Sequence, residues 1–276
     1  MLKDYFKLSP KEMIELVYIC LTLGVLFSLT FMRFASNGES FFQVFLVFFT
    51  FILLMLSLRL LFMKYVAYKN GFEIHMKMTY FDRYWFHNYD RISYTMDGKI
   101  AGVKTPKILG IPMTIFSIVI YIFSLGLIIF PSMWRYDIKT IRHRFIGTRQ
   151  KYESNASQNE DVTMYRFSKV LFSGFFFYLF FCCFLKVFAQ DINISYYYWF
   201  IFIIFYTAFF SLIPIMGTEG FEFWHKGRFG WLCSITILFL GFLSILVFDD
   251  MLFVLIGTIM SIMIVSIFIL WKELMD

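Results

Sequence analysis

The sequence predicts an all-α polytopic membrane protein: six transmembrane helices plus a re-entrant segment and a small cytoplasmic β-hairpin region, in a single integral membrane domain over residues 1–276. Three observations lead there. The chain is 60% hydrophobic and only 16% charged, outside the composition of a soluble globular domain. Its apolar residues gather into runs that reach the length of about 20 residues a helix needs to cross hydrocarbon. Its basic residues separate cleanly to one side once one of those runs turns back on itself.

The runs are Ile14 to Met32, Phe41 to Met63, Ile108 to Phe130, Phe167 to Ala189, Tyr196 to Met216, Gly230 to Phe248 and Met251 to Trp271. The first is too long, and lacks the small-residue cleavage site, for a signal peptide, so it reads as a retained helix. Taking every run as a full crossing divides the loop lysines and arginines 11 against 11 and gives no orientation. The run from Ile108 starts ILGIP and ends FPS, and glycine and proline break helices where a chain must turn. If it enters and leaves on the same side, 21 basic residues share that side and only Arg33 lies opposite. Both termini are then cytoplasmic, and the far loops are SNGES, QDINIS and DD.

Between the second span and the re-entrant segment, residues 72–107 read as a cytoplasmic β-hairpin insertion. FEIHMKM alternates apolar and polar residues from Phe72 to Met78, and ISYTMDGKIAGVK carries Asp97-Gly98, a pair suited to a tight hairpin turn. Residues 149–162 are polar and read as a mobile loop. Cys20, Cys182, Cys183 and Cys233 lie inside apolar runs without paired spacing and read as buried small hydrophobes.

An arginine inside a membrane helix needs an explanation, because it costs about 2.5–3.5 kcal/mol at the bilayer centre on insertion scales. Arg59 lies in RLLFMKYVAYKNG at the end of the second span, and the span from Tyr196 ends in FSLIPIMGTEG. These stretches resemble the two motifs of the site-2 protease family of intramembrane metalloproteases: H-E-x-x-H on one helix, and N-x-x-P ending in D-G on another. Both close a span on the cytoplasmic side only when the Ile108 segment is re-entrant. In that register Arg59 and Met63 stand for the histidines, Leu60 for the glutamate, Ser211 for the asparagine and Glu219 for the aspartate, while Pro214 and Gly220 are kept. The resemblance implies motif helices side by side with no zinc and no cofactor, because zinc hydrolysis needs two histidines one turn apart, a third ligand and a general base. It also implies an Arg59–Glu219 ion pair in place of the metal. The alternative is that Arg59 snorkels to the headgroups.

Other chemistry is sparse. Glu73 with His75, and Glu222 with His225, each supply at most two metal ligands. An active enzyme would have to combine Glu219, His75 and His225. No G-x-S-x-G turn, P-loop or dinucleotide-binding glycine pattern is present. The basic run RYDIKTIRHR suits anionic lipid headgroups, and the chain lacks the soluble basic domain that nucleic acid would need. The expected function is therefore a catalytically inactive, site-2-protease-like subunit of a membrane complex, with lipids and other membrane proteins as partners. The competing expectation is a transporter or channel whose re-entrant segment lines a polar pathway.

Overall fold

A computed structural model describes residues 8–34, 40–81, 99–100, 103–104, 111–140, 156–188, 194–214, 218–226 and 228–247. Helix α1 covers Pro10–Phe34 and begins with a capping box: the Glu12 N–H donates to Ser9 Oγ (3.2 Å) and the Ser9 N–H donates to the Glu12 carboxylate (2.9 Å). Pro10 takes the first helical position, where its missing N–H costs nothing. Helix α2, Phe41–Lys69, is capped by Ser40 and Gln43 in the same reciprocal way. Its 29 residues make a rod of about 43 Å, longer than a hydrocarbon core of about 30 Å.

Two further long helices are α4, Ala156–Val187, and α5, Ile194–Leu212; between α2 and α4 lies the shorter α3, Met113–Phe123. A short α6, Glu219–Lys226, then leads into α7, Arg228–Val247. Among the described residues, three helices are long and apolar enough to cross a membrane: Pro10–Phe34, Phe41–Lys69 and the Lys169–Val187 part of α4. Met113–Phe123, Tyr196–Leu212 and Gly230–Ile245 are shorter apolar helices.

The helices pack through aromatic rings and through close approaches at glycine. Phe51 stacks on Phe200 with centroids 4.1 Å apart, joining α2 to α5, and Phe175 lies parallel to Phe223 at 5.6 Å, joining α4 to α6. Phe205 meets Phe242 edge-on at 4.7 Å between α5 and α7. Large apolar side chains such as Ile14, Leu54, Phe180 and Phe239 are exposed on the outside, the surface a lipid-facing bundle presents. Lys186 does not reach away from the bundle; its ammonium donates to the Ile245 carbonyl near the end of α7 (2.9 Å).

Strand β1, Phe72–Met78, falls where the alternation of FEIHMKM puts it. The short strands β2 (Tyr80–Phe81), β3 (Lys99–Ile100), β4 (Val103–Lys104) and β5 (Ile111–Pro112) precede β6, Trp134–Thr140. β1 pairs antiparallel with β6, setting Met76 opposite Tyr136 and Met78 opposite Trp134; β2 pairs with β5, and β3 with β4. Ile74, Met76, Trp134 and Tyr136 are buried, whereas Glu73, His75 and Lys77 are half-buried and Arg135 is exposed, so one face of the sheet lies on the bundle.

The structure differs from the sequence expectations in several places. The principal partner of β1 lies beyond residues 72–107, because it is the WRYDIKT strand after α3 that offers buried rings to the same face. The small hairpin pairs Lys99 with Lys104 and Ile100 with Val103; Asp97-Gly98 lies outside the described residues. Residues 156–162 of the expected mobile loop form the first turns of α4, a polar extension of the apolar helix behind it, while residues 149–155 lie outside the described residues. So does the last apolar run, Met251 to Trp271.

The Ile108 segment is not one long helix. α3 ends at Phe123, Leu125 and Gly126 turn with φ of +54° and +79°, and the chain runs back beside the helix. On the way, the Phe130 N–H donates to Ser117 Oγ (3.3 Å) and the Phe130 ring meets Phe116 edge-on. Both ends of this excursion meet at Thr79: the Met113 N–H donates to the Thr79 carbonyl and the Thr79 N–H to the Met133 carbonyl, each at 2.9 Å.

Candidate functional site: a buried ion pair between two helices

The arginine of α2 and the glutamate that opens α6 are brought together inside the protein. Arg59 Nη2 lies 2.5 Å from Glu219 Oε1, and both residues are 1% exposed. Pairing alone does not repay such burial, because removing each ion from water costs several kcal/mol; the remaining lone pairs and N–H groups must be satisfied too. Here they largely are. Arg59 Nη1 donates to the Tyr136 hydroxyl oxygen (2.9 Å) and Nε to the Gly174 carbonyl (3.2 Å), while the Trp134 indole N–H donates to Glu219 Oε2 (3.2 Å).

Aromatic faces complete the enclosure. The guanidinium carbon lies 4.7 Å from the Tyr178 ring centroid and within 6 Å of those of Phe175, Tyr136 and Trp134. Such contacts contribute about 2 kcal/mol when desolvated. Burial pushes the Tyr136 phenol well above its usual range, against the opposing pull of Arg59, so it accepts the guanidinium's hydrogen bond as a neutral group.

Local sequence explains how Glu219 reaches this position. α5 ends at Leu212, and the carbonyls at its end take side-chain donors: the Trp231 indole N–H bonds the Leu212 carbonyl (2.7 Å), and the Thr218 hydroxyl bonds the carbonyl of Ile213, the next residue (3.4 Å). Gly220 lets α6 start directly beneath them, since a Cβ there would meet the Ile213 and Ser211 carbonyl oxygens at 2.5 and 2.6 Å. Gly174 plays the same part on α4, where a Cβ would fall 2.5 Å from Met63 Sδ and 3.1 Å from Arg59 Nη2.

Of the other motif positions, Leu60, Met63 and Ser211 are buried, with the Ser211 hydroxyl donating to the Thr207 carbonyl (2.7 Å). Pro214 is exposed just past the end of α5. The side chains do not fit zinc: the residues at the two histidine positions are a guanidinium and a thioether, and the single carboxylate is engaged by Arg59 and Trp134. His75 is held elsewhere, with Nδ1 3.5 Å from Glu12 and Nε2 3.2 Å from Glu73. Among the described residues no group of three or more His, Cys, Asp or Glu side chains is arranged to hold a metal.

The sequence reading missed Trp134, Tyr136, Tyr178 and Gly174, and also a second buried pair. Lys64 Nζ lies 3.1 Å from Glu12 Oε2, and Glu12 Oε1 accepts the Met76 N–H (3.1 Å). Ser9-Pro10-Lys11-Glu12 carried the signal as a capping box; the aromatic residues carried none beyond alternation in WRY.

Fold and site together define a helical bundle, with three helices among the described residues long and apolar enough to cross a membrane, in which α2 and α6 are joined by a buried ion pair under a small sheet. The chain matches no family model, no curated protein and no solved structure.

Proposed function

We propose that this chain is a catalytically inactive, site-2-protease-like membrane protein, with both termini cytoplasmic, that serves as a binding or structural subunit of a membrane complex. The observation that carries the reading is the Arg59–Glu219 pair, which joins the two positions where the resemblance would put metal ligands. A cation on one helix and an anion on the other supply the cross-link without Lewis-acid chemistry, and the residues at the general-base and histidine positions have no group able to activate water. The out-and-back course of the chain from Met113 to Met133 supports a re-entrant segment, and with it the same-side placement of both motifs. Purification in a mild native detergent, with metal analysis and identification of co-purifying membrane proteins, tests the reading. The expected result is a stable partner and no stoichiometric zinc; bound zinc, or a chain that behaves as a lone monomer, would overturn it.

The same excursion favours one competing reading, a polar pathway lined by the turning segment. Ion flux in liposomes that disappears with Glu219→Gln would support transport instead.

A further inference from the structure

The excursion through α3 runs nearly the whole length of α1. At its base, the Met78 N–H donates to Glu15 near the start of α1 (2.8 Å), and the next residue, Thr79, holds both ends of the excursion. At its tip it meets the opposite end of the same helix. The Tyr121 hydroxyl lies 3.4 Å from Thr30 Oγ1, and a Cβ on Gly126 would fall 3.3 Å from Arg33 Nη1. From Glu15 to Arg33 a helix rises about 27 Å, close to the hydrocarbon thickness of about 30 Å. The returning arm, Leu127 to Met133, can cover about 23 Å when extended.

The arm is also equipped for that depth. In hydrocarbon a backbone N–H needs an acceptor within the protein. From Leu125 to Phe130 each has one: the carbonyls of Ile122, Tyr121 and Ser124 serve Leu125, Gly126 and Leu127, and the hydroxyl oxygens of Ser124, Tyr206 and Ser117 serve Ile128, Ile129 and Phe130. Pro131 has no N–H to satisfy. Arg33 sets the level of the tip, because hydrocarbon penalises charge and an exposed guanidinium beside lipid settles among the headgroups. Gly126, within reach of that guanidinium, stands at the same level.

We propose that the turn at Leu125 and Gly126 reaches the headgroup boundary of the leaflet at the Arg33 end of α1, where Phe123, Leu125 and Leu127 form a phospholipid-binding surface. These side chains are 84%, 74% and 64% exposed. Apolar groups of this size, clustered on one turn, are unfavourable in water and suited to acyl chains. The Arg33 guanidinium beside them supplies the charge that matches a lipid phosphate. A segment with both ends at the sheet thus presents its turn to the other face of the membrane. The inference rests on the part of the proposed function in which α1 and α2 cross the bilayer, and is independent of the loss of catalysis.

The full chain carrying Phe123→Cys or Leu127→Cys tests this, with Phe34→Cys and Lys69→Cys as markers of the two faces and the parent chain as background. In sealed membrane vesicles of either orientation, a membrane-impermeant maleimide is expected to label both tip variants from the Phe34 side and neither from the Lys69 side. Labelling from the Lys69 side, or from neither side until detergent is added, would overturn the proposal while leaving the crossings intact. Markers that both react from one face would overturn the crossing of α2, and the proposal with it. A fluorophore on the tip cysteines in phosphatidylcholine vesicles then reads the occupant. A nitroxide on the lipid chain next to the headgroup is expected to quench it more than one at the chain end; equal or no quenching by the two refutes the surface.

Discussion

Arg59 and Trp134 hold the same carboxylate from its two oxygens, the guanidinium on Glu219 Oε1 and the indole N–H on Oε2. The strand β6 therefore touches the ion pair from both sides, since Tyr136 also accepts from Arg59. Removing one charge from this enclosure leaves the other buried without its partner. Glu219→Gln or Arg59→Met alone is expected to destabilise the fold by about 3–5 kcal/mol, whereas Arg59→Met with Glu219→Leu together recovers most of that loss. Unfolding midpoints of the three variants in detergent would check this, with the double variant standing above both singles.

Trp134→Phe keeps an aromatic face toward Arg59 but deletes the donor to Glu219. A hydrogen bond to a charged group contributes about 1.5–3 kcal/mol, which is the loss expected in the native background. In a Glu219→Gln background the loss should shrink, and a double-mutant cycle reads the difference as coupling between the two side chains.

The two glycines at the site should respond differently to alanine. At Gly220 the added carbon meets backbone carbonyl oxygens of Ile213 and Ser211, which cannot swing aside. At Gly174 it meets the flexible Met63 side chain first. Gly220→Ala is expected to cost more than about 3 kcal/mol or to abolish folding, and Gly174→Ala about 1–3 kcal/mol, with Met63→Ala relieving the second but not the first. Expression and monodispersity of the four variants in detergent would separate the outcomes.

The pair at the base of α1 gives a local readout. Glu12→Gln removes the counter-charge of Lys64 and weakens the acceptor for the Met76 N–H, whereas the Met78 N–H is held by Glu15 at 2.8 Å. Amide hydrogen exchange should speed up at Met76 while Met78 keeps more of its protection. Equal acceleration at both amides would show that β1 detaches as a unit.

Helices were the most legible part of the chain. The apolar runs from Ile14, Phe41, Phe167, Tyr196 and Gly230 coincide with α1, α2, α4, α5 and α7 to within a few residues, except where α4 extends N-terminally through ASQNED. That extension was illegible because a polar turn propagates readily from a helix already nucleated by packing. The pairing of β1 with β6 was illegible for another reason: alternation announces a strand but not its partner, and here the whole α3 excursion lies between them. At the site, Arg59 and Glu219 stood out because charges are rare in apolar runs. Tyr136, Tyr178 and Trp134 did not, since 23% of the residues are aromatic and only the folded geometry distinguishes the ones around a guanidinium.

The carboxylates of α1 also change what β1 offers to other molecules. With Glu15 on the Met78 amide and Glu12 on the Met76 amide, two donors on the border of the sheet that faces away from β6 are taken by side chains of the same chain. A second copy approaching at Met76 and Met78 would find acidic groups where it needs free N–H, which disfavours strand-to-strand pairing at that end of β1.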